Sequence, residues 1–499
     1  MVVAPHLPHL QHNKTGRELF SSKRITSPQH SKTGVVQNTM RVAIVGAGPT
    51  GFFLAASLFK SGPENLTIDM FEKTPFPFGL VRFGVAPDHP KIKNVTRGYQ
   101  KTMDDPRFSF FGNVTLTEDG GQGHIAAEDL LKHYDRVALT VGCQDDRKLG
   151  IPFEDSVNSY SATRFVGWYN GHPEDRELNP NLKVKHATVV GAGNVAIDVF
   201  RFLASPHDRM AVTDASDHSL EALKTNTIEE VDVLVRRGAW DVAFTNPEVK
   251  ELLDFEDVQF CFFPELPPLE SPPPYADRTS TKNMEVFHEL AKRRVENPRM
   301  TLNFRFQVSP KELRVDSEGQ VKEVEVCHNE LEIGETRSQL RQTDKTSIYP
   351  SQLFIRSVGY RGRPLAGIPF NHKWGLIPCD KQGRVTDMDG KVMEGLYVSG
   401  WMRRGPSGVI GTNKKDATEV SGVLLQDQRT HQTTTEQEFE SWRNTLLSGG
   451  AISKQDWGLL DAWETREGEQ LGKPRRKLVT LVQVVDALNK VKAASITAG

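Results

Sequence analysis

Two glycine-rich turns, each closing a short apolar run and opening a helical stretch, predict an α/β chain of two Rossmann-like dinucleotide-binding domains. A later apolar run, Gly395-Leu-Tyr-Val-Ser-Gly400, feeds another glycine-rich turn, so the first domain is expected to be interrupted by the second and then resumed. The predicted organisation is residues 41–140 for the first part of the outer domain, 141–355 for the inserted domain, and 356–499 for the return with a helical C-terminal segment.

The outer domain opens with Arg41-Val-Ala-Ile-Val45, an apolar run that reads as a buried strand. Gly46-Ala-Gly48-Pro49-Thr50-Gly51 follows at once and leads into the small-residue-rich helical stretch Phe52–Leu58. A second apolar run, Leu66–Phe71, ends in Glu72. In this strand–turn–helix–strand context Gly46 permits the tight turn, Gly48 lets backbone approach a pyrophosphate, and Gly51 lets the helix pack on the strand. The free N–H groups and dipole of the helix N-terminus then favour the phosphates. Glu72 lies where an acid accepts hydrogen bonds from a ribose diol. Its charge would repel a 2′-phosphate, so this first site is expected to hold FAD or NAD and not NADP.

The pattern recurs at His186–Val190, followed by Gly191-Ala192-Gly193-Asn194-Val195-Ala196 and a helix through Leu203. Alanine is an accepted third member of the fingerprint. A polar stretch with helical propensity, about 204–227, precedes the strand Val231–Val235, which ends in Arg236-Arg237-Gly238 with no acid at the ribose position. Two guanidinium groups there can hold a 2′-phosphate, so the second site reads as NADP(H). The alternative is that they only solvate the strand end. Two sites of opposite ribose chemistry in one chain indicate hydride traffic from NADPH to a bound flavin.

Arg136–Gly142 and Gln352–Gly359 are further apolar runs ending in glycine and fit crossings close to a cofactor. After Gly395–Trp401 come Arg403-Arg404-Gly-Pro-Ser-Gly408-Val409-Ile410-Gly411 and a helix from Lys414 to about Asp427, whose N–H donors suit a flavin phosphate or ring. Pro264–Pro274 predicts an extended spacer loop, and Glu285–Val295 a helix with the basic end Lys292-Arg293-Arg294. Residues 434–490 read as helical, with Thr435 and Glu438 as a capping box and Phe439, Trp442 and Leu446 on one face.

Across 499 residues, 62 Lys+Arg balance 64 Asp+Glu, which argues against a general nucleic-acid binder. Cys143, Cys261, Cys327 and Cys379 form no CxxC, which disfavours a disulfide scaffold, a metal or iron–sulfur site on this chain, and a dithiol redox centre. No apolar run reaches the roughly 18 residues of a membrane span. Residues 1–40 hold five basic side chains, one acid and several serines without an apolar core. That composition suggests a mitochondrial transit peptide; a disordered basic tail or a start at Met40 are the alternatives. Without those residues the balance is 57 basic to 63 acidic, a net charge of −6.

Five stretches carry a resemblance. They are Glu72-Lys73-Thr-Pro-Phe-Pro-Phe-Gly-Leu80-Val-Arg-Phe-Gly-Val-Ala-Pro-Asp88-His89-Pro; Phe165-Val-Gly-Trp-Tyr-Asn-Gly-His-Pro-Glu174; Gly193-Asn-Val-Ala-Ile-Asp198; Arg236-Arg-Gly with Val242-Ala-Phe-Thr245; and Ser399-Gly-Trp401 with Arg404-Gly-Pro-Ser-Gly408-Val-Ile. Together they strongly resemble the adrenodoxin reductase family, the mitochondrial NADPH:ferredoxin oxidoreductases, whose bacterial relatives share the pattern. Trp401 sharpens the assignment, because most related two-dinucleotide flavoproteins carry aspartate there.

The resemblance implies FAD contacts at the Gly46–Gly51 turn, Glu72, Lys73, Leu80, Leu116, Trp401 and Gly408-Val409-Ile410. It implies NADP contacts at the Gly191-Ala192-Gly193-Asn194-Val195 turn, Arg236, Arg237, Glu248 and Gly408. His89 and Asp198 match positions near the flavin–nicotinamide pocket, where they would orient groups or relay protons, or serve structure only. No general acid or base is obligatory for the hydride step, and no metal site is expected. The implied partner is an acidic [2Fe–2S] ferredoxin in a transient electrostatic complex with a monomeric reductase, with peripheral inner-membrane association compatible. The family's basic cluster falls near Arg278 and Lys282, where this chain is sparser, so Lys292-Arg293-Arg294 and Arg403-Arg404 are the candidate docking charges. Another NADPH-dependent flavoprotein, such as a monooxygenase or diaphorase, or a non-catalytic NADPH-binding protein, is the alternative reading.

Overall fold

The computed structural model describes residues 39–121, 123–428 and 433–497. The presequence expected over residues 1–40 lies outside the described residues, apart from its last two.

Side chains alternate along the strand Met40–Val45, so that Val42 and Ile44 enter one core and Ala43 and Val45 a second core on the opposite face. A strand apolar on both faces belongs inside a parallel sheet. It pairs in parallel with Leu66–Glu72 on one side and Arg136–Leu139 on the other. Edge to edge, the seven strands are 384–386, 392–398, 136–139, 40–45, 66–72, 108–112 and 452–453, with only the two edge pairings antiparallel. The chain moves outward as far as 108–112, then jumps back to the other side of its first strand. That reversal opens a crevice beyond the carboxyl ends of 40–45 and 136–139.

A second sheet of six parallel strands runs 258–263, 300–306, 230–235, 186–190, 353–356 and 159–161. Its order reverses in the same way between 186–190 and 353–356. The chain thus leaves the first sheet after Leu139 and rejoins it at Arg384. One face of the second sheet packs on Phe165, Phe200 and Phe287 of the helices Ala162–Asn170, Asn194–Ala204 and Arg278–Lys292. The other is covered by an antiparallel sheet of Val308–Val315, Val321–Ile333 and Ser338–Pro350, through Leu313, Val324 and Phe354. Apolar periodicity does not announce this layer, because its outer strand is almost wholly polar and exposed.

Several elements differ from the sequence expectation for identifiable reasons. The helix placed at Glu285–Val295 is Arg278–Lys292: Asp277 caps it by accepting the Ser280 N–H at 2.8 Å, and it stops before Arg293. Arg293 instead donates to the carbonyls of Leu253 and Phe255, and Arg294 to those of Ala291 and Arg293. The basic run is therefore no continuous helix face. The stretch 204–227 forms two short helices, His207–Ala211 and Asp217–Leu223. The C-terminal part forms the helices Glu436–Ser448, Lys454–Gln470 and Leu481–Thr497, the first opened by the Thr435–Glu438 capping box. No helix among the described residues is long and apolar enough to cross a membrane.

Candidate active site

Each sheet carries its glycine turn at its own strand-order reversal. Gly46 turns at φ +107°, and a Cβ there would lie 2.8 Å from the Val141 nitrogen; Gly191 turns at φ +134° against the Ser357 carbonyl. Both positions exclude any side chain. Around Gly48 and Gly193, by contrast, a Cβ would meet nothing within 4 Å. Each of these is the N-cap of a helix, Pro49–Ser61 and Asn194–Ala204, with no capping side chain and no acid in the first turn. Free N–H groups therefore look onto open space, an arrangement that takes a phosphate. Gly51 lies behind its turn, against the Gly46 carbonyl, and lets the helix close onto the strand.

The first crevice widens into a cleft of about 1060 Å³, large enough for a dinucleotide. Gly46, Gly48, Pro49 and Thr50 line it, as do Glu72, Lys73, Leu80, Leu116, Trp401 and Ile410. The Glu72 carboxylate accepts the Ala47 N–H at 3.0 Å through one oxygen and the Thr74 N–H at 3.1 Å through the other. Burial raises its pKa, and these donors oppose the rise. Each oxygen keeps acceptor capacity for a ribose diol. Lys73 bridges Gln144 at 2.7 Å and Glu174 at 2.6 Å. Trp401 packs on Tyr360 with ring centroids 5.2 Å apart, and its buried indole N–H has no acceptor among the described residues. An orphaned donor on the wall of a cleft suits a bound acceptor. Gly408 and Val409 are not among the lining residues, and Val409 is 64 % exposed.

At the second crevice the Ala192 carbonyl accepts the Ala243 N–H at 2.7 Å, and the Asn194 amide holds Thr245 at 2.8 and 3.1 Å. Val195 follows in the first turn of the same helix. Arg236 and Arg237 leave the adjoining strand with no carboxylate partner among the described residues. Burial and the neighbouring guanidinium groups of Arg237 and Arg337 push the Arg236 pKa down.

A charge cluster joins the two halves. Arg201, with no exposed surface, pairs with Asp88 from the first half and with Asp198 at 2.9 Å, Glu248 at 3.0 Å and Glu251 at 3.1 Å from the second. His89, from the first half, meets Glu251 at 2.7 Å and Glu248 at 3.8 Å. Four carboxylates around one guanidinium leave an excess of negative charge. Burial, opposed by Arg201 and reinforced by Glu248, raises the Asp198 pKa to about 7. His89, Glu248 and Glu251 could ligate a metal ion by spacing, but both glutamates already pair with Arg201. Neither His89, Asp198 nor Glu248 lines the large cleft; they form the seam beside it.

No protein-family model matches the chain. It is 39 % identical over 458 residues to the NADPH-ferredoxin reductase FprA of Mycobacterium leprae, covering 89 % of this chain and 97 % of that protein. The chain belongs to the adrenodoxin reductase family. To the mitochondrial NADPH:adrenodoxin oxidoreductase of Bos taurus it is 36 % identical over 470 residues, 90 % of this chain and 92 % of the other. The structure of Mycobacterium tuberculosis FprA in complex with NADPH superimposes with a TM-score of 0.83 at 37 % identity, covering 91 % of this chain and all of the other. As a member of the adrenodoxin reductase family the chain is an oxidoreductase, and its cofactors are FAD and NADP(H).

Two groups at the reductase site escape sequence reasoning. Arg201, the hub of the seam, sits inside a helix that reads as amphipathic, and nothing local marks it as buried. Tyr360, which lines the cleft beside Trp401, follows a glycine-ended strand, and that strand was the available signal.

Proposed function

We propose that this reductase takes a hydride from NADPH and delivers single electrons to a small [2Fe–2S] ferredoxin. The observation that carries the reading is the pair of glycine turns at the two strand-order reversals, one followed by Glu72 and the other by Arg236-Arg237. Bound FAD supplies the conversion between two-electron and one-electron chemistry. Residues 41–140 and 356–499 would form its domain and 141–355 the domain for NADP(H). Glu72 accepts hydrogen bonds from the flavin-side ribose, the Gly46–Gly51 turn faces the pyrophosphate, and Lys73, Leu80, Leu116, Trp401 and Ile410 enclose the remainder, with Gly408 and Val409 only leading into Ile410. The Gly191–Val195 turn takes the second pyrophosphate, and Arg236 and Arg237 take the 2′-phosphate.

His89, Asp198 and Glu248 act as positioning groups. Their ion pairs through Arg201 hold the two crevices at a set distance, and Asp198, titrating near 7, sets a proton balance beside Tyr360. Asp198→Asn should slow flavin reduction by NADPH about tenfold in stopped-flow measurements and flatten its pH profile around neutrality. An unchanged rate and profile would leave the carboxyl a structural role only.

The partner complex is read as transient and the reductase as a monomer in the mitochondrial matrix, with residues 1–40 its transit peptide. The basic, acid-poor composition of that segment supports this; import of the full chain into isolated mitochondria with loss of the segment tests it. Of the candidate docking charges, Arg403 is paired with Asp416 at 2.6 Å, whereas Arg404 is held by the neutral Ser407 and Asn413 and keeps its charge for a partner. The function itself is tested by NADPH-dependent cytochrome c reduction with and without added [2Fe–2S] ferredoxin. Ferredoxin should accelerate it severalfold; no acceleration would remove the assigned acceptor.

A further inference from the structure

The hairpin Val321–Pro350 has no part in the reaction described so far, yet it reaches one nucleotide crevice. Its strands pair from Glu323 with Pro350 to Ile333 with Ser338, leaving the four-residue end Gly334-Glu335-Thr336-Arg337. That end is docked on the loop following Val235. Asn329 donates to the Arg236 carbonyl at 2.9 Å, Leu331 lies 3.3 Å from where a Gly238 Cβ would be, and the Ser338 N–H donates to Asp241 at 3.3 Å. Gln307, which leads into the same antiparallel sheet, donates to the Arg237 carbonyl at 3.0 Å. The arginine loop and the hairpin end are therefore one packed unit.

Within this unit the cations lack anions. Among the described residues no carboxylate pairs with Arg236, Arg237 or Arg337, and the Arg237 Nε is buried without an acceptor. Asp241, a nearby acid, has both oxygens engaged, one by Ser338 and the other by the Tyr275 hydroxyl at 3.2 Å. Arg337 is close enough to Arg236 for their charges to repel. Three like charges held together with no protein counter-ion repel one another, and an anion between them relieves that repulsion.

We propose that Arg337, at the end of the hairpin, is a third ligand of the NADP(H) 2′-phosphate and a determinant of NADPH over NADH. This rests on the assignment of Arg236 and Arg237 to that phosphate. The hairpin brings a guanidinium from about a hundred residues away in sequence, and its exposed position leaves it free to reach a phosphate held by the arginine loop.

The test is calorimetric binding of 2′,5′-ADP and of 5′-AMP to the purified flavoprotein, wild type against Arg337→Ala and Arg337→Lys. Loss of one charge-assisted contact predicts about tenfold weaker 2′,5′-ADP binding in Arg337→Ala, unchanged 5′-AMP binding, and partial recovery in Arg337→Lys. Unchanged 2′,5′-ADP affinity in Arg337→Ala overturns the proposal. So does an equal loss for both probes, which would mean that the hairpin only supports the adenosine pocket. A wild type that binds 2′,5′-ADP no better than 5′-AMP would instead overturn the assignment of Arg236 and Arg237, and the role of Arg337 with it.

Discussion

Replacing Arg236 and Arg237 together by alanine should lower kcat/KM for NADPH by about 100- to 1000-fold while leaving NADH turnover unchanged. Both side chains follow the strand Glu230–Val235, next to the Gly191–Val195 turn, and neither has an acidic partner among the described residues. A hydrogen bond to a charged group contributes about 1.5–3 kcal/mol, so two such contacts to a dianionic 2′-phosphate, each toward the lower end of that span, account for the effect. NADH lacks the phosphate and never makes them. Steady-state kinetics with both nucleotides, using ferricyanide as acceptor, separates this from general damage to the crevice. Equal losses for NADPH and NADH would show that the pair shapes the loop and does not read the phosphate.

The largest effect on stability is expected at Glu464. This carboxylate has no exposed surface and receives Arg82 through two hydrogen bonds of 2.9 and 2.6 Å, Arg475 at 2.9 Å and the Leu478 N–H at 2.7 Å. Glu464→Ala would leave Arg82 buried and unpaired at the junction of the first domain with the C-terminal helices. Removing one member of such a pair costs roughly 3–5 kcal/mol in unfolding free energy. The same pairing has a pH signature. Burial alone would raise the Glu464 pKa, but Arg82 and Arg475 outweigh it and hold it below the ordinary value of 4.5. In this pH range the unfolded chain then binds more protons than the folded one, so stability rises with pH. The contribution is complete above the unfolded pKa and is lost as pH falls through the lower folded value. Urea unfolding of wild type and Glu464→Gln from pH 3 to 7 should show a gap that narrows toward acid; a gap independent of pH would mean that packing, not charge, holds the junction.

The segment after Arg475 extends this junction to the inserted domain. Lys477, whose side chain has no exposed surface, reaches Asp214 at 3.2 Å and the Arg82 carbonyl at 3.1 Å, while Lys473 and Arg476 hold Asp217. Together with the Arg201 cluster it forms a second clamp across the seam between the two nucleotide-binding halves. The segment between the last two helices thus ties the C-terminal part to both nucleotide-binding halves.

Local order was legible from the amino acids alone. Val42, Ile44, Val231 and Val233 alternate as strands must, and the spacing of Gly46, Gly48 and Gly51 reports a turn that each glycine serves for a steric reason visible in the motif. The opposite signs of Glu72 and Arg236-Arg237 distinguish the two turns by the charge of single side chains. These properties are short-range: they depend on neighbours within a few residues and on the chemistry of one side chain. What the tertiary structure decided is long-range. Arg82 meets Glu464 across 382 residues and Arg201 meets Asp88 across 113. Arg337 joins Arg236 through a hairpin whose polar outer strand has no apolar rhythm to betray it. A charge selects its partner by where packing leaves it after water has been excluded, and no spacing along the chain encodes that. The sequence by itself marked the two glycine turns and the opposite charges that follow them; only packing decided which charges meet in the seam and which loop the hairpin end lies against.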